Sequence, residues 1–368
     1  MSDYSSQLSG KRILVTGGNG YIGSHTVIAL IESGASVTML DSLVNSQLEC
    51  FERIKKICGL TNSSSDKLEF FRVDLRDYAE LESQVFANHS PYDAVIHFAG
   101  LKAVGESVEL PLKYYDYNII STINLLKCME KFHCKNLVFS SSATVYGLVK
   151  QNPITEDFAL STTNPYGSTK LVIENILREV AAAPIKDKNT KPWQIAILRY
   201  FNPIGAHSSG LIGEDPSGIP NNLLPFVLQV AVGRRDKVTV FGNDWPTRDG
   251  TGVRDFIHVT DLSLGHLAAL SNGIFNRDEK LSNCESYNLG TGNGNSVLEI
   301  IQTTEKVSGK KIPYTIGARR GGDIAECFSD PHKAEKYLKW KATKTLEEAV
   351  QDSWKWQQQN PQGFGEQN

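Results

Sequence analysis

Residues 13–30 read "ILVTGGNGYIGSHTVIAL": an apolar run, a knot of glycines, then an apolar-rich stretch of helical length. Gly17, Gly20 and Gly23 stand in Gly-x-x-Gly-x-x-Gly spacing, and counting from Gly18 gives Gly-x-Gly-x-x-Gly. Glycines between a strand and a helix permit a tight turn and let the backbone approach a pyrophosphate seated on the helix N-terminus. The stretch therefore predicts the opening strand–turn–helix unit of a dinucleotide-binding sheet. Outward from it the pattern repeats. "ASVTMLD" (35–41), "LEFFRVDL" (68–75), "YDAVIHFAG" (92–100), "KNLVFSSS" (135–142) and "WQIAILRYFN" (193–202) read as strands. "STINLLKCMEKFHC" (121–134) and "KLVIENILREVAA" (170–182) read as helices.

Strand–helix alternation with continuously apolar strands implies an α/β fold with a doubly wound parallel sheet of Rossmann type. Beyond about Asn202 the pattern loosens and Pro and Gly become frequent, which predicts a smaller mixed α/β substrate-binding domain. The expected division is a dinucleotide-binding domain over 1–202 and a smaller one over 203–236 and 274–368. A segment at about 237–273, holding "KVTVFG" and "VTDLSLGHLAALSNG", is expected to return to the first. The polar stretches 61–66 and 184–192 read as surface loops.

Composition narrows the function. The 368 residues are 40% hydrophobic and 21% charged, with a net charge of -3, as in a soluble globular chain. No long basic run suggests a nucleic-acid surface. The six cysteines are scattered without a Cys-x-x-Cys pair, so they read as reduced thiols of a cytoplasmic protein, with no disulfide framework and no zinc site. The polar N-terminus lacks the apolar core of a signal peptide, and no apolar run is long enough to span a bilayer.

Several side chains fall where a nucleotide would lie. Asp41 ends the second strand, 18 residues after Gly23. A carboxylate there accepts from the adenosine ribose hydroxyls and repels a 2′-phosphate, which favours NAD over NADP. The competing reading is a strand-end cap, with Asn45 and Ser46 as further caps. Asp74 can meet the adenine amino group or merely close a turn. Gly100 and Lys102 follow the fourth strand, and Lys102 can equally be a solvated loop lysine. Ser140, Ser141 and Ser142 end the fifth strand and deliver hydroxyls to the same edge. Tyr166 and Lys170, in "NPYGSTK", lie four residues apart on one helix face. A lysine beside a phenol favours the phenolate, and a serine and a tyrosine can both bond one substrate oxygen.

These motifs, with "HFAGLKAVGES", "LRYFNPIGAH", "GEDPSGIPNNLLP", "VFGNDWPTRDGTGVRDFIHV", "YNLGTGNGNSV" and "RRGGD", run from about residue 11 to about 360. Together they resemble the extended short-chain dehydrogenase/reductases, in the branch of the UDP-hexose 4-epimerases. The resemblance implies reversible inversion at C4 of UDP-glucose and UDP-galactose through a 4-keto sugar, using tightly held NAD. It implies Tyr166, Lys170 and Ser142 as the catalytic residues. It assigns the NAD site to Gly17, Gly20, Tyr21, Ile22 and Gly23, to Asp41, Asn45, Ser46, Asp74 and Leu75, to Phe98, Ala99, Gly100 and Lys102, and to Asn118, Ser142, Tyr166, Lys170 and Phe201. For the UDP-sugar it implies Lys102, Ser142 and Tyr166 again, with Asn202, Asn222, Leu223, Thr239, Val240, Phe241, Arg254, Arg320, Asp323 and Cys327. Read singly, the asparagines can be caps, and Arg254–Asp255 or Arg320–Asp323 can be structural ion pairs. Tyr117 beside Asn118 departs from the usual pattern. Cys327 stands where the family gates sugar size; a small residue there implies room for an N-acetyl group, so UDP-GlcNAc and UDP-GalNAc enter as further substrates. Family members commonly form homodimers, with the apolar faces of 121–132 and 170–182 as candidate surfaces. The rivals are a 4,6-dehydratase, which needs a carboxylate where Ala143 and Thr144 follow Ser142, an epimerase of another UDP-sugar, and a non-catalytic NAD-binding regulator.

Overall fold

The apolar strands stack edge to edge in a computed structural model, which describes residues 4–61, 66–89, 91–149, 151–185, 191–216 and 218–365. The loops expected over 61–66 and 184–192 lie largely outside the described residues. Seven strands form the large sheet: β1 (Arg12–Thr16), β2 (Ser36–Asp41), β3 (Leu68–Arg72), β4 (Ala94–His97), β5 (Asn136–Ser142), β6 (Gln194–Tyr200) and β10 (Cys284–Leu289). All are parallel, in the order β10-β6-β5-β4-β1-β2-β3. The order reverses between β1 and β4, where a crevice opens at the carboxyl ends of the strands. Alternate residues of β1 enter opposite cores: Ile13 and Val15 one, Leu14 the other. Both faces are covered, which is why the strands read as continuous apolar runs.

The smaller part holds β7 (Asn202–Ile204), β9 (Val253–His258), β11 (Gly294–Ser296) and β13 (Glu326–Cys327) in one sheet, and β8 (Val238–Phe241) with β12 (Tyr314–Gly317) in a pair. The helices Leu223–Ala231, Val297–Ser308 and Leu346–Gln359 pack there around Leu228, Ile300 and Val350. Capping boxes at Ser296 and Thr345 start the last two. Among the described residues no helix is long and apolar enough to cross a membrane.

Two strands differ from the expectation. "KVTVFG" does not join the large sheet; β8 pairs with β12 instead. Val238 and Val240 are buried while Thr239 is exposed. That one-sided pattern suits a strand covering its own small core. Conversely β10 comes from the stretch 274–368, and its mixed sequence "CESYNL" fits an edge strand whose first half is only partly buried. The helix Val259–Ala268 does pack on Tyr21–Glu32, joining Leu262 and Leu267 to Val27 in one core.

Under the site runs a buried ion pair. Arg199 on β6 donates through Nε and Nη2 to the two Glu174 oxygens at 3.0 and 2.7 Å. Ser141 Oγ adds a bond at 2.6 Å and Arg178 one at 2.7 Å. Burial works against the Glu174 charge, yet Arg199 and these donors hold its carboxyl below the usual range. Removing the carboxylate strands a buried guanidinium. Glu174→Ala is therefore expected to lower stability by about 3–5 kcal/mol, read as a fall in the urea midpoint. An unchanged midpoint would contradict this account.

Candidate active site

The glycine loop is fixed by contact. Gly17 has φ +69°, and a Cβ there would lie 2.7 Å from Ala99 N. A Cβ at Gly23 would meet Gly17 O at 2.3 Å. Glycine is the only residue both positions admit. The helix Tyr21–Glu32 starts at Gly20 with no side-chain cap, so the amides of Tyr21, Ile22 and Gly23 lack intrahelical acceptors. The buried Asp41 carboxylate accepts from Asn19 N at 3.1 Å, Leu43 N at 2.9 Å and Ser46 Oγ at 2.9 Å. It therefore both caps the following turn and faces the loop; Asn45 beside it is exposed. Burial pushes its carboxyl above the usual value, against those donors.

Asp74 takes the turn role that the sequence left open. Arg76 N bonds its Oδ1 at 2.9 Å, and the Arg76 guanidinium grips both oxygens, holding the carboxyl below its usual range. The same guanidinium lies 3.7 Å from the Tyr117 ring centre and bonds Asp116, which gives the unusual tyrosine a packing role. Leu75 buries its side chain and offers its carbonyl to Asn124.

At the end of β4, Phe98 packs on His266, and Ala99 N donates to Thr16 Oγ1 at 3.3 Å. Asn118 clamps the loop beyond. Its Oδ1 accepts from Leu101 N at 2.8 Å, and its Nδ2 donates to Leu101 O at 3.1 Å and Thr169 Oγ1 at 2.9 Å. Both its donor hydrogens are thus used within the protein. A Cβ at Gly100 would touch Asn118 Oδ1 at 3.0 Å. Lys102 is exposed and reaches Glu214 Oε1 at 3.2 Å, the same oxygen that accepts from Asn222 Nδ2 at 2.7 Å. Glu214 was missing from the sequence reading. Its only signal was an acidic residue in a loop already assigned to other anchors.

The chemistry-bearing groups meet on the carboxyl edge of β5. Asn164 Oδ1 accepts from Gly167 N at 2.8 Å and Pro165 opens the helix Pro165–Ala182, so Tyr166 lies in its first turn. Ser142 Oγ accepts from Thr144 Oγ1 at 3.0 Å. The buried Lys170 donates from Nζ to Ser140 O at 2.7 Å, and Nζ lies 5.9 Å from the Tyr166 ring centre. The expected lowering of the phenol by the lysine is not what the ligand-free chain gives. Burial pushes the Tyr166 phenol up to about 12, with the Ser142 hydroxyl pulling the other way. Burial likewise pulls the Lys170 ammonium down to about 8, with Glu174 opposing it. Desolvation disfavours each charged form and dominates at both groups.

In the smaller part, Arg254 pairs with Asp323 rather than Asp255. Asp255 instead ties loops together, accepting from Thr291 N at 2.8 Å and Ser329 Oγ at 2.6 Å. The Arg320 guanidinium stacks 3.9 Å from the Phe241 ring centre and is exposed. Val240 turns its side chain into an apolar core with Val227 and Ile301, which leaves only its backbone for a ligand; Thr239 beside it is exposed. Leu223 packs at the start of its helix, and Asn202 on β7 pairs in register with Phe256. Cys327 pairs in register with Arg254 and packs in a cluster with Tyr146, Ile154 and Phe201. Among the described residues no group of His, Cys, Asp and Glu could hold a metal ion.

Three features fit a dinucleotide: the uncapped helix start, the glycine-only loop beside Asp41, and Asn19. The Asn19 amide is buried with neither Oδ1 nor Nδ2 bonded. A family model described as GDP-mannose 4,6 dehydratase matches residues 14–353. The chain is 54% identical over 355 residues to a UDP-glucose 4-epimerase of Bacillus subtilis (strain 168), covering 96% of this chain and 98% of that protein. A solved UDP-glucose 4-epimerase from Bifidobacterium longum, in complex with NAD+ and UDP, is 50% identical with a TM-score of 0.87, covering 96% of this chain and 100% of that one. A UDP-Glc/GlcNAc 4-epimerase from Campylobacter jejuni is 33% identical with a TM-score of 0.78, covering 95% and 100%.

The Lys170 shift has a signed consequence. Between about 8 and the ordinary 10.5 the unfolded chain binds more protons at this site than the folded one. Stability from this group therefore rises with pH across that window, and its penalty is present in full below it. Thermal melts of nucleotide-free Lys170→Met against the parent are expected to differ by an amount that moves in the parent's favour as pH climbs from about 8 to 10. A pH-independent difference would overturn the assignment.

Proposed function

The chain belongs to the UDP-glucose 4-epimerase family within the extended short-chain dehydrogenases/reductases, and on that premise we propose that it interconverts UDP-glucose and UDP-galactose using bound NAD. The observation that carries the reading is that Ser142, Tyr166 and Lys170 come together at the carboxyl end of β5, in the same parallel sheet whose β1 leads into the uncapped glycine loop. When bound, NAD supplies a reversible hydride acceptor for C4 and a positive ring beside the phenol. Tyr166 takes the proton of the sugar 4-hydroxyl as the C4 hydrogen leaves as hydride, which yields the 4-keto sugar. Ser142 holds the 4-oxygen. The Lys170 ammonium stabilises the phenolate that forms as the proton is taken. Once the sugar presents its other face for reduction, Tyr166 would return its proton to the 4-oxygen, and C4 would be inverted.

Arg254 and Arg320 are assigned to the diphosphate, where guanidinium forks suit the oxygens. Asn202, Asn222 and Asp323 are assigned to the sugar and uridine ends. Anchoring the non-reacting UDP puts binding energy where it leaves the hexose free to turn. The dehydratase reading lacks its carboxylate, since Ala143 and Thr144 follow Ser142. An NMR time course with UDP-galactose and no added NAD tests the proposal: UDP-glucose is expected to appear. Tyr166→Phe is expected to slow it by roughly 10²–10⁴-fold. No conversion even with added NAD would sink the reading.

Two finer proposals follow. The small Cys327 side chain leaves space for an N-acetyl group, so UDP-GalNAc is also converted. Cys327→Tyr is expected to suppress that activity selectively, and equal loss on both substrates would remove the gate. The second is a homodimer. The expected apolar face of 121–132 is core instead, with Leu125 and Met129 fully buried. Exposed apolar side chains on and beside these helices include Val108 at 62%, Leu112 at 82% and Ile120 at 42%, with Val172 on the helix of Tyr166 at 37%. A second copy of this chain covers that patch. Leu112→Arg is expected to shift the sedimentation coefficient to that of a monomer; an unchanged value would rule out this face. The six free thiols fit a reducing compartment such as the cytoplasm.

A further inference from the structure

We infer that the Asn19 side-chain amide holds the adenosine ribose diol of the cofactor together with the Asp41 carboxylate, an inference that rests on the NAD reading above. Asn19 stands between Gly18 and Gly20 in the loop and is 3% exposed. Its backbone N donates to Asp41 Oδ2 at 3.1 Å, which fixes the residue against the acid at the end of β2. Its side chain is buried there with both Oδ1 and Nδ2 lacking any partner.

An amide carries two donor hydrogens and an acceptor oxygen. Buried polar groups are nearly always bonded, and leaving one unbonded is unfavourable. An asparagine serving only the fold would commit its amide to protein groups, as Asn118 and Asn124 do a few residues from the same crevice. Asn19 does not, so the folded chain pre-forms a partner for something else. The chemistry of that partner follows from the two free atoms. Pyrophosphate oxygens only accept, so they would satisfy Nδ2 and leave Oδ1 unbonded. A hydroxyl both donates and accepts, and a vicinal pair satisfies Oδ1, Nδ2 and the neighbouring carboxylate together. The link to Asp41 selects the ribose of the adenosine half.

The full-length chain freed of nucleotide tests this by calorimetric titration with ADP-ribose and with its counterpart lacking both adenosine ribose hydroxyls. Asn19→Ala is expected to bind ADP-ribose about tenfold more weakly than the parent, and to discriminate less between the two probes. Asn19→Asp keeps the shape but exchanges the donor for a charge beside Asp41, and is expected to bind more weakly still. Thermal melts separate this from a structural role. Nucleotide-free Asn19→Ala is expected to melt no lower than the parent, while its gain on adding NAD is smaller. Equal ADP-ribose affinity of either variant and the parent would overturn the inference. So would equal losses of melting temperature with and without NAD, or undiminished discrimination between the probes. A parent chain that binds neither NAD nor ADP-ribose would instead remove the cofactor reading itself.

Discussion

A guanidinium with no access to water is tolerated in a protein only where its charge is met on every side. Arg199 meets that condition through Glu174, the Tyr146 hydroxyl at 2.9 Å and the Glu156 carbonyl at 3.3 Å. Tyr146 in turn bonds Asn288 of β10 at 2.6 Å. The constraint thus joins β5, β6, β10 and the helix Pro165–Ala182 at one point. Ser141, one residue before Ser142, is part of it, and Glu174 lies one turn beyond Lys170. Ion pairs of this kind add little to stability over an apolar replacement, but breaking one is severe. What this pair supplies is register: the strand end that carries Ser142 and the helix that carries Tyr166 and Lys170 cannot slide against each other.

Desolvation dominates the electrostatics of the site. The same burial that raises the Tyr166 phenol depresses the Lys170 ammonium. The Tyr166 phenol therefore rests neutral near pH 7, whereas Lys170, pulled only to about 8, keeps most of its charge there. A positive charge brought near the phenol would favour its ionised form and oppose the effect of burial.

Much of this was legible in the chain. The glycine spacing, the apolar runs of β1 to β6 and the Tyr166–Lys170 spacing are local patterns, and local patterns survive reading in one dimension. What failed was non-local. Whether "VTVF" or "CESYNL" enters the large sheet depends on neighbours more than 70 residues away, as the pairing of β8 with β12 and of β10 with β6 shows. Arg254 was weighed against Asp255, its neighbour in sequence, while its partner Asp323 comes from another segment. Asn118 was assigned to the cofactor by its match to a family motif, and the bonds of its amide to Leu101 could not be read from its neighbours in sequence. Glu214 escaped notice because a glutamate acquires meaning only from what reaches it.

The Arg254–Asp323 pair also alters how an anion enters. Because the guanidinium already faces a carboxylate, its charge is met and partly shielded from water before any ligand arrives. A diphosphate proposed to bind here would do so by exchange of one oxyanion for another at the guanidinium, with the aspartate freed to accept a hydroxyl donor. The carboxylate stays beside the newcomer, so the exchange adds negative charge to the pocket and requires a donor for the freed aspartate. Affinity then reflects the difference between two good pairings, which is a way to grip a dianion firmly without making its release slow.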